Sequence, residues 1–130
     1  MRFELLDGAV DIDLGSLDVG ADALREQLRE YAAGERRAFE VGVDFPDSFT
    51  GRVMEAMAAI PYGETRTYGE LAAELDTAPR AVGGGCGRNP VPVVVPCHRV
   101  LRSDGGLGGY SAAGGVALKR RLLDHEAGGA

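Results

Sequence analysis

The chain has 130 residues, 45% of them hydrophobic and 26% charged, with two cysteines and two histidines. That is enough for one domain or two small ones with a buried core, and no apolar run is long enough to cross a bilayer. The formal net charge of −6 argues against nucleic acid as a partner for the molecule as a whole, though not for every face of it. Met1–Asp7 carries no apolar stretch of the signal-peptide kind, so a cytoplasmic location is expected, with Cys86 and Cys97 as thiols rather than a disulfide. Arg2–Leu6 and Val10–Leu14 flank Asp7-Gly8, a hairpin signal, and Val10, Ile12 and Leu14 alternate with acids as in a half-buried strand. Leu24, Leu28 and Tyr31 have helical spacing, and Phe39, Val41 and Val43 alternate again. Residues 1–46 therefore read as a small ββαβ scaffold domain with no chemistry of its own.

Phe45-Pro46-Asp47-Ser48 breaks that pattern and opens a second domain, 47–130. Asp47 or Ser48 is placed to cap a helix whose apolar stripe is Phe49, Val53, Met57 and Ile60, and Pro61 ends it. Thr67 and Glu70 fit a capping box, and the short helix after it turns Leu71 and Leu75 inward. Pro79 can sit in the first turn of another helix, which would make a helix-turn-helix. Its body, Arg80 to Cys86, is nonetheless a poor helix sequence, because each interior glycine costs about 1 kcal/mol against alanine. By propensity a loop is expected there; the bare backbone would otherwise serve close approach to another surface, such as a DNA groove beside Arg80. Asn89 to Pro92 is rigid and non-helical, and Val93–Val95 reads as a short buried strand or extended segment. Val116–Glu126 is expected to be a last helix with Val116, Leu122 and Leu123 inward.

Charge is distributed unevenly. Residues 1–47 hold five basic and twelve acidic side chains, whereas within 77–121 only Asp104 opposes Arg80, Arg88, Arg99, Arg102, Lys119, Arg120 and Arg121. Such a stretch suits phosphate, and it equally suits an ordinary solvated face.

Cys97 becomes a strong nucleophile only if a neighbouring group takes its proton. His98 is adjacent and His125 lies downstream, and Glu126 could orient a histidine as the third member of a triad does. Neighbours in a regular strand face opposite ways, so a direct partnership of Cys97 with His98 needs a turn or a bridging water. Taken alone, these residues also fit a buried structural thiol beside a surface histidine, or a zinc site from Cys86, Cys97, His98 and His125. Zinc ligands usually come in short pairs, which these do not.

The segment Asn89-Pro90-Val91-Pro92-Val93-Val94-Val95-Pro96-Cys97-His98-Arg99-Val100 resembles the active-site segment of the O6-alkylguanine-DNA alkyltransferases, the methylated-DNA–protein-cysteine methyltransferases. The resemblance extends through Ile60–Thr65, Tyr68–Ala72, Arg80–Gly83, Gly108–Ser111 and Lys119–Glu126, and so covers roughly residues 48–126. It implies a small α/β N-terminal domain beside a mostly α C-terminal domain with a winged-helix-like helix-turn-helix. It implies irreversible, single-turnover transfer of an O6-alkyl group from guanine to Cys97, with His98 as base through a water and Glu126 holding the histidine. Asn89 would brace the active-site turn, and Tyr68 would rotate the target phosphate and protonate the leaving base. Arg80 would fill the gap left by the flipped nucleotide, with Ala81, Gly83 and Gly84 against the groove. Tyr110 and Ser111 would grip the guanine, and the carbonyls of Cys97 and Val100 would read its amine. The partner implied is double-stranded DNA containing O6-alkylguanine, bound by a monomer without cofactor, metal or membrane. A non-catalytic lesion-binding module that recruits other repair proteins is the alternative, and the presence of Cys97 weighs against it. The span from Tyr68 to Arg80 is two residues shorter than in the family, and the loop after Ser111 two residues longer.

Overall fold

The structure is a computed structural model that describes residues 1–108 and 115–128. Strands β1 (Arg2–Leu5) and β2 (Gly8–Asp11) form the expected antiparallel hairpin, with Leu5 opposite Gly8. The loop lies one residue earlier than the Asp7-Gly8 signal suggested: it is Leu6-Asp7, both at positive φ (47° and 64°), the requirement of a two-residue type I′ turn. Register decides this, because it puts Phe3, Leu5 and Val10 in the core, and a one-residue slip would turn them outward. β2 stops at Asp11 rather than Leu14. Asp13 accepts from the Gly15 N–H at 3.0 Å and caps a 3-10 turn over Leu14–Ser16, a local bond that outcompetes further strand. The short β3 (Leu17–Asp18) pairs antiparallel with β4 (Gly42–Val43), which is all that the alternation of Phe39, Val41 and Val43 yields as strand. Between them α1 (Ala21–Ala32) buries Leu24, Leu28 and Tyr31, as their spacing requires.

α2 (Phe49–Ala58) is capped by Ser48, not Asp47, through the Gly51 N–H at 3.2 Å, and it buries Val53, Met54 and Met57. Gly51 is obligatory, since a Cβ there would lie 1.8 Å from the Pro46 carbonyl oxygen. β5 (Arg66–Thr67) runs into α3 (Tyr68–Glu74), whose N-terminus carries the full Thr67/Glu70 capping box. Leu71 is buried and Leu75 only partly.

The loop expected over Arg80–Cys86 is instead a helix, α4 (Pro79–Gly87). Tertiary packing overrides propensity: Val82, Gly85 and Cys86 are buried, and Gly85 lies so close to α2 that a Cβ would come within 2.7 Å of Val53. The strand or extended segment expected at Val93–Val95 is a turn. Val93 has φ 74°, unusual for a β-branched residue, and the Val95 N–H donates to the Val91 carbonyl at 3.0 Å. Burial of Val93 and Val95 holds the turn in place. β6 (Val100–Leu101) then pairs parallel with β5.

α5 (Gly115–Glu126) presents Leu118, Lys119, Leu122 and Glu126 to the interior. Val116 is 45% exposed and Leu123 half-buried, so two of the three residues expected inward are not core residues. Apolar periodicity misplaced the stripe because two of its four members are charged. Among the described residues, five α-helices and three two-stranded sheets enclose one core that runs from the hairpin to α5. None of these helices is long and apolar enough to cross a membrane.

Candidate active site

The rigid segment after α4 delivers Cys97. Asn89 clamps it at both ends: its side-chain amide donates to the Val95 carbonyl at 3.0 Å, and its Oδ1 accepts the Val91 N–H at 3.1 Å. Beyond Pro96, residues Cys97–Arg99 form a 3-10 turn and not a strand. Successive side chains on such a turn are spread around three directions instead of alternating across two, so Cys97 and His98 can serve one site. Both are buried, Cys97 at 7% and His98 at 0% exposure.

Glu126, the last residue of α5, closes on this turn. His98 Nε2 lies 2.7 Å from Glu126 Oε2. Arg99 donates its Nε to Oε1 at 2.7 Å and an Nη to Oε2 at 2.9 Å, and its other Nη to the Ile60 carbonyl at 2.7 Å. The Tyr31 hydroxyl donates to Oε2 at 2.6 Å. Burial pushes the Glu126 carboxyl up, but bonds from His98, Arg99 and Tyr31 outweigh it and hold the group well below the usual carboxylate range. A carboxylate at a helix C-terminus opposes the helix dipole, and here the Arg99 guanidinium supplies the compensating charge.

His98 responds in the opposite sense. Complete burial pulls its pKa down, and Glu126 offsets this only in part, so the imidazole is held neutral. A carboxylate at Nε2 demands that the ring proton sit on Nε2. Nδ1 then carries the lone pair, and it is buried with no hydrogen-bond partner among the described residues. The result is a neutral base with an open acceptor atom, one residue from a thiol. The other cysteine, Cys86, is unsuited to the nucleophile's role: burial first, and then Cys97, push its thiol up to about 12, and it packs 3.4 Å from the Met57 sulfur.

Tyr68, the first residue of α3, is half-buried near Gly108, where a Cβ would meet its ring and hydroxyl at 3.1 Å. Burial, and after it Cys86 and Cys97, raise its phenol to about 12. Lys119 sits 5.7 Å from the Tyr68 ring centroid and is fully buried, donating to the Val100 carbonyl at 2.8 Å and to the Leu107 carbonyl. The Val100 carbonyl thus already holds an ammonium, and a second lone pair remains on it. Arg80 is exposed at the start of α4 and Ala81 half-buried beside it. A Cβ at Gly83 meets nothing within 4 Å, and one at Gly84 meets the Arg88 guanidinium at 3.2 Å. Tyr110 and Ser111 lie outside the described residues.

The basic stretch contributes less surface charge than its sequence promised, because Arg99 and Lys119 are interior; Arg80, Arg88, Arg102, Arg120 and Arg121 are the exposed members. Sequence reasoning did not single out Arg99, Lys119 or Tyr31 as members of the site. The first two stood in the motif as unassigned charges, and Tyr31 as a core position of a helix ninety-five residues from its partner. Among the described residues no cluster of three or more His, Cys, Asp or Glu side chains could hold a metal ion.

Residues 48–128 match the family model of the 6-O-methylguanine DNA methyltransferase DNA-binding domain, and the chain belongs to that family. It is 47% identical over 104 residues to the methylated-DNA–protein-cysteine methyltransferase of Mycobacterium tuberculosis, an alignment covering 78% of this chain and 62% of that protein. The chain therefore spans about three fifths of that relative's length. The crystal structure of Mycobacterium tuberculosis OGT in complex with DNA superposes with a TM-score of 0.76 at 44% identity, over 82% of this chain and 67% of that one. S. pombe Atl1, in complex with damaged DNA containing O6-carboxymethylguanine, matches at 32% identity and a TM-score of 0.54, over 62% of this chain and 77% of that one.

Proposed function

We propose that this protein repairs DNA directly, moving the alkyl group of an O6-alkylguanine onto Cys97 in a single irreversible turnover. The observation that carries this reading is His98: neutral, fixed at Nε2 by Glu126, with Nδ1 open in the turn that bears Cys97. The Cys97 proton passes through a water to Nδ1. The thiolate attacks the alkyl carbon, the carbon–O6 bond breaks, and its electron pair leaves with the guanine. Tyr68, whose phenol burial raises to about 12 so that it is protonated at neutral pH, gives its proton to the departing base and regains, relayed through solvent, the one that Cys97 passed to His98. The thioether has no easy leaving group, so the molecule acts once.

An alkyl group on O6 cannot meet an in-line nucleophile inside a stacked duplex, so the nucleotide must be extruded. α3 and α4 are read as a helix-turn-helix of winged-helix type. The open backbone at Gly83 allows α4 to approach the groove closely, and exposed Arg80 at its start takes the extruded nucleotide's place. On this reading residues 47–130 bind DNA and accept the alkyl group, Asn89 keeps Cys97 in place, Tyr110 and Ser111 close over the guanine, and 1–46 act mainly as scaffold.

The test is incubation with a duplex containing one O6-methylguanine, followed by intact mass and peptide mapping. A gain of one methyl on the peptide containing Cys97, abolished in Cys97→Ala while DNA binding persists, is expected. Lesion binding with unchanged protein mass would overturn the transfer reading in favour of a recognition module of the kind the Atl1 likeness suggests.

A further inference from the structure

Tyr31 belongs to α1, outside the matched residues 48–128 and within the N-terminal segment proposed to act mainly as scaffold. Tyr31 is fully buried, and its hydroxyl reaches from α1 to the same Glu126 oxygen that holds His98. Its position is fixed from several sides. Its backbone carbonyl accepts from His125 Nε2 at 2.7 Å, its ring stacks obliquely on His125 at 5.1 Å and on Phe39 at 5.5 Å, and Tyr62 meets it edge-on at 6.1 Å. A core tyrosine needs some partner for its hydroxyl, but a carbonyl or a water would suffice. This one spends its donor on a carboxylate at 2.6 Å, a charge-assisted bond.

We propose that Tyr31 is a positioning residue of the alkyl-transfer site, through which the N-terminal segment fixes the Glu126 carboxylate and limits how strongly it draws a proton onto His98. The inference rests on the function proposed above. Tyr31, His98 and an Arg99 nitrogen all direct hydrogens at Oε2, and with the Arg99 bond held in place by its second bond to Oε1, a stronger bond from Tyr31 weakens the pull available to His98. With the phenol in place, Oε2 orients the imidazole without making it so basic that it stays protonated. The groups facing this pair are Arg99 on the active-site turn, Lys119 and His125 on α5, Tyr31 on α1 and Tyr62 before β5. Arg99 and Lys119 both disfavour a positive charge on His98. Burial and the adjoining Glu126 push the Tyr31 phenol far up, so it remains a donor across the working range.

Tyr31→Phe keeps the ring and removes the donor. Glu126 then becomes the stronger base, His98 holds its proton to higher pH, and the acid limb of the alkyl-transfer rate profile moves upward by about half a pH unit, roughly a threefold loss on that limb. Substitution of Tyr31 by 3-fluorotyrosine, a stronger donor of nearly the same shape, moves the limb downward. The same opposed shifts are expected in the His98 imidazole resonances of the resting protein, followed by NMR with His125→Asn as the assignment control. Because that readout needs no substrate, it separates this inference from the proposed reaction: an inactive parent protein with opposed His98 shifts sinks the reaction alone. A rate lowered evenly at all pH, with His98 unmoved in both variants, would mean that Tyr31 only packs. Should Tyr31→Phe fail to fold, the fluorotyrosine variant decides by itself, an unmoved His98 overturning the proposal.

Discussion

Arg99 grips Glu126 with two nitrogens on two oxygens, 2.7 and 2.9 Å apart, while its third nitrogen caps the Ile60 carbonyl just before the Pro61 turn. This planar fork is something a lysine cannot reproduce. Both partners are interior, with 8% and 2% of their side chains exposed. Removing one member of such a pair strands the other's charge. Arg99→Met should lower unfolding stability by about 3–5 kcal/mol, and Glu126→Gln in the same chain should recover part of that loss. Urea titrations of the two single variants and the double variant measure the coupling. Additive losses would show that the pair is not acting as a unit.

Acid stability follows from the same cluster. The folded pKa of His98 is lowered, so an unfolded chain takes up a proton at His98 before the folded one does, and stability drains away as pH falls below the ordinary histidine value of about 6.5. Glu126 is also lowered, and its contribution is full above its unfolded value and lost as pH falls below about 4.5. Two successive losses are therefore expected on acidification, one starting near pH 6.5 and one near pH 4.5. Melting temperatures of the parent and of His98→Gln between pH 4 and 8 check this: the variant should lose the first step and keep the second.

Two glycines of α4 should behave oppositely. A Cβ at Gly85 would come within 2.7 to 3.0 Å of three atoms of Val53, and neither helix can yield cheaply, so Gly85→Ala should destabilise by about 1–3 kcal/mol. At Gly83 nothing lies within 4 Å, and Gly83→Ala should gain about 1 kcal/mol from helix propensity. If α4 is the element that approaches DNA, the same stabilising change should weaken binding to duplex. Thermal melts paired with fluorescence-anisotropy titrations test both; a Gly83→Ala variant that gains stability and keeps its affinity would remove α4 from the interface.

α4 also shows what was legible in the chain and what was not. Local signals with local causes came through: the Thr67/Glu70 capping box, the Leu24/Leu28/Tyr31 face, and a helix end before Pro61, although α2 stops at Ala58 and leaves Ile60 outside it. The active-site turn was legible as a motif, but its shape was not. Val-Val-Val reads as strand, whereas burial of Val93 and Val95, the Asn89 clamp and the Val95-to-Val91 hydrogen bond together hold Val93 at positive φ. The helix at Arg80–Cys86 failed the propensity reading because what stabilises it, Gly85 against Val53, joins positions thirty-two residues apart. Lys119 and Glu126 were invisible as core for a similar reason: a charged residue becomes an interior one only when its partners, here Val100 and Leu107 or His98 and Arg99, arrive from elsewhere in the chain.

Arg80 offers the sharpest separation of DNA handling from chemistry. It is exposed at the first turn of α4, and no hydrogen bond or ion pair ties it to Glu126, His98 or any other of the described residues. Substitution should therefore leave the fold and the reactivity of Cys97 untouched. If it occupies the space vacated by an extruded nucleotide, it offsets an unstacking cost of a few kcal/mol that only duplex substrate imposes. Arg80→Ala should then slow methyl transfer from O6-methylguanine in a duplex by one to two orders of magnitude, roughly 1.4 to 2.8 kcal/mol, while the reaction with a free O6-alkylguanine base is unchanged. Arg80→Lys, which restores charge without the planar group, should recover binding to undamaged DNA better than it recovers repair. Single-turnover rates on the two substrates give the ratio, and a ratio equal to that of the parent protein would exclude an intercalating role for this side chain.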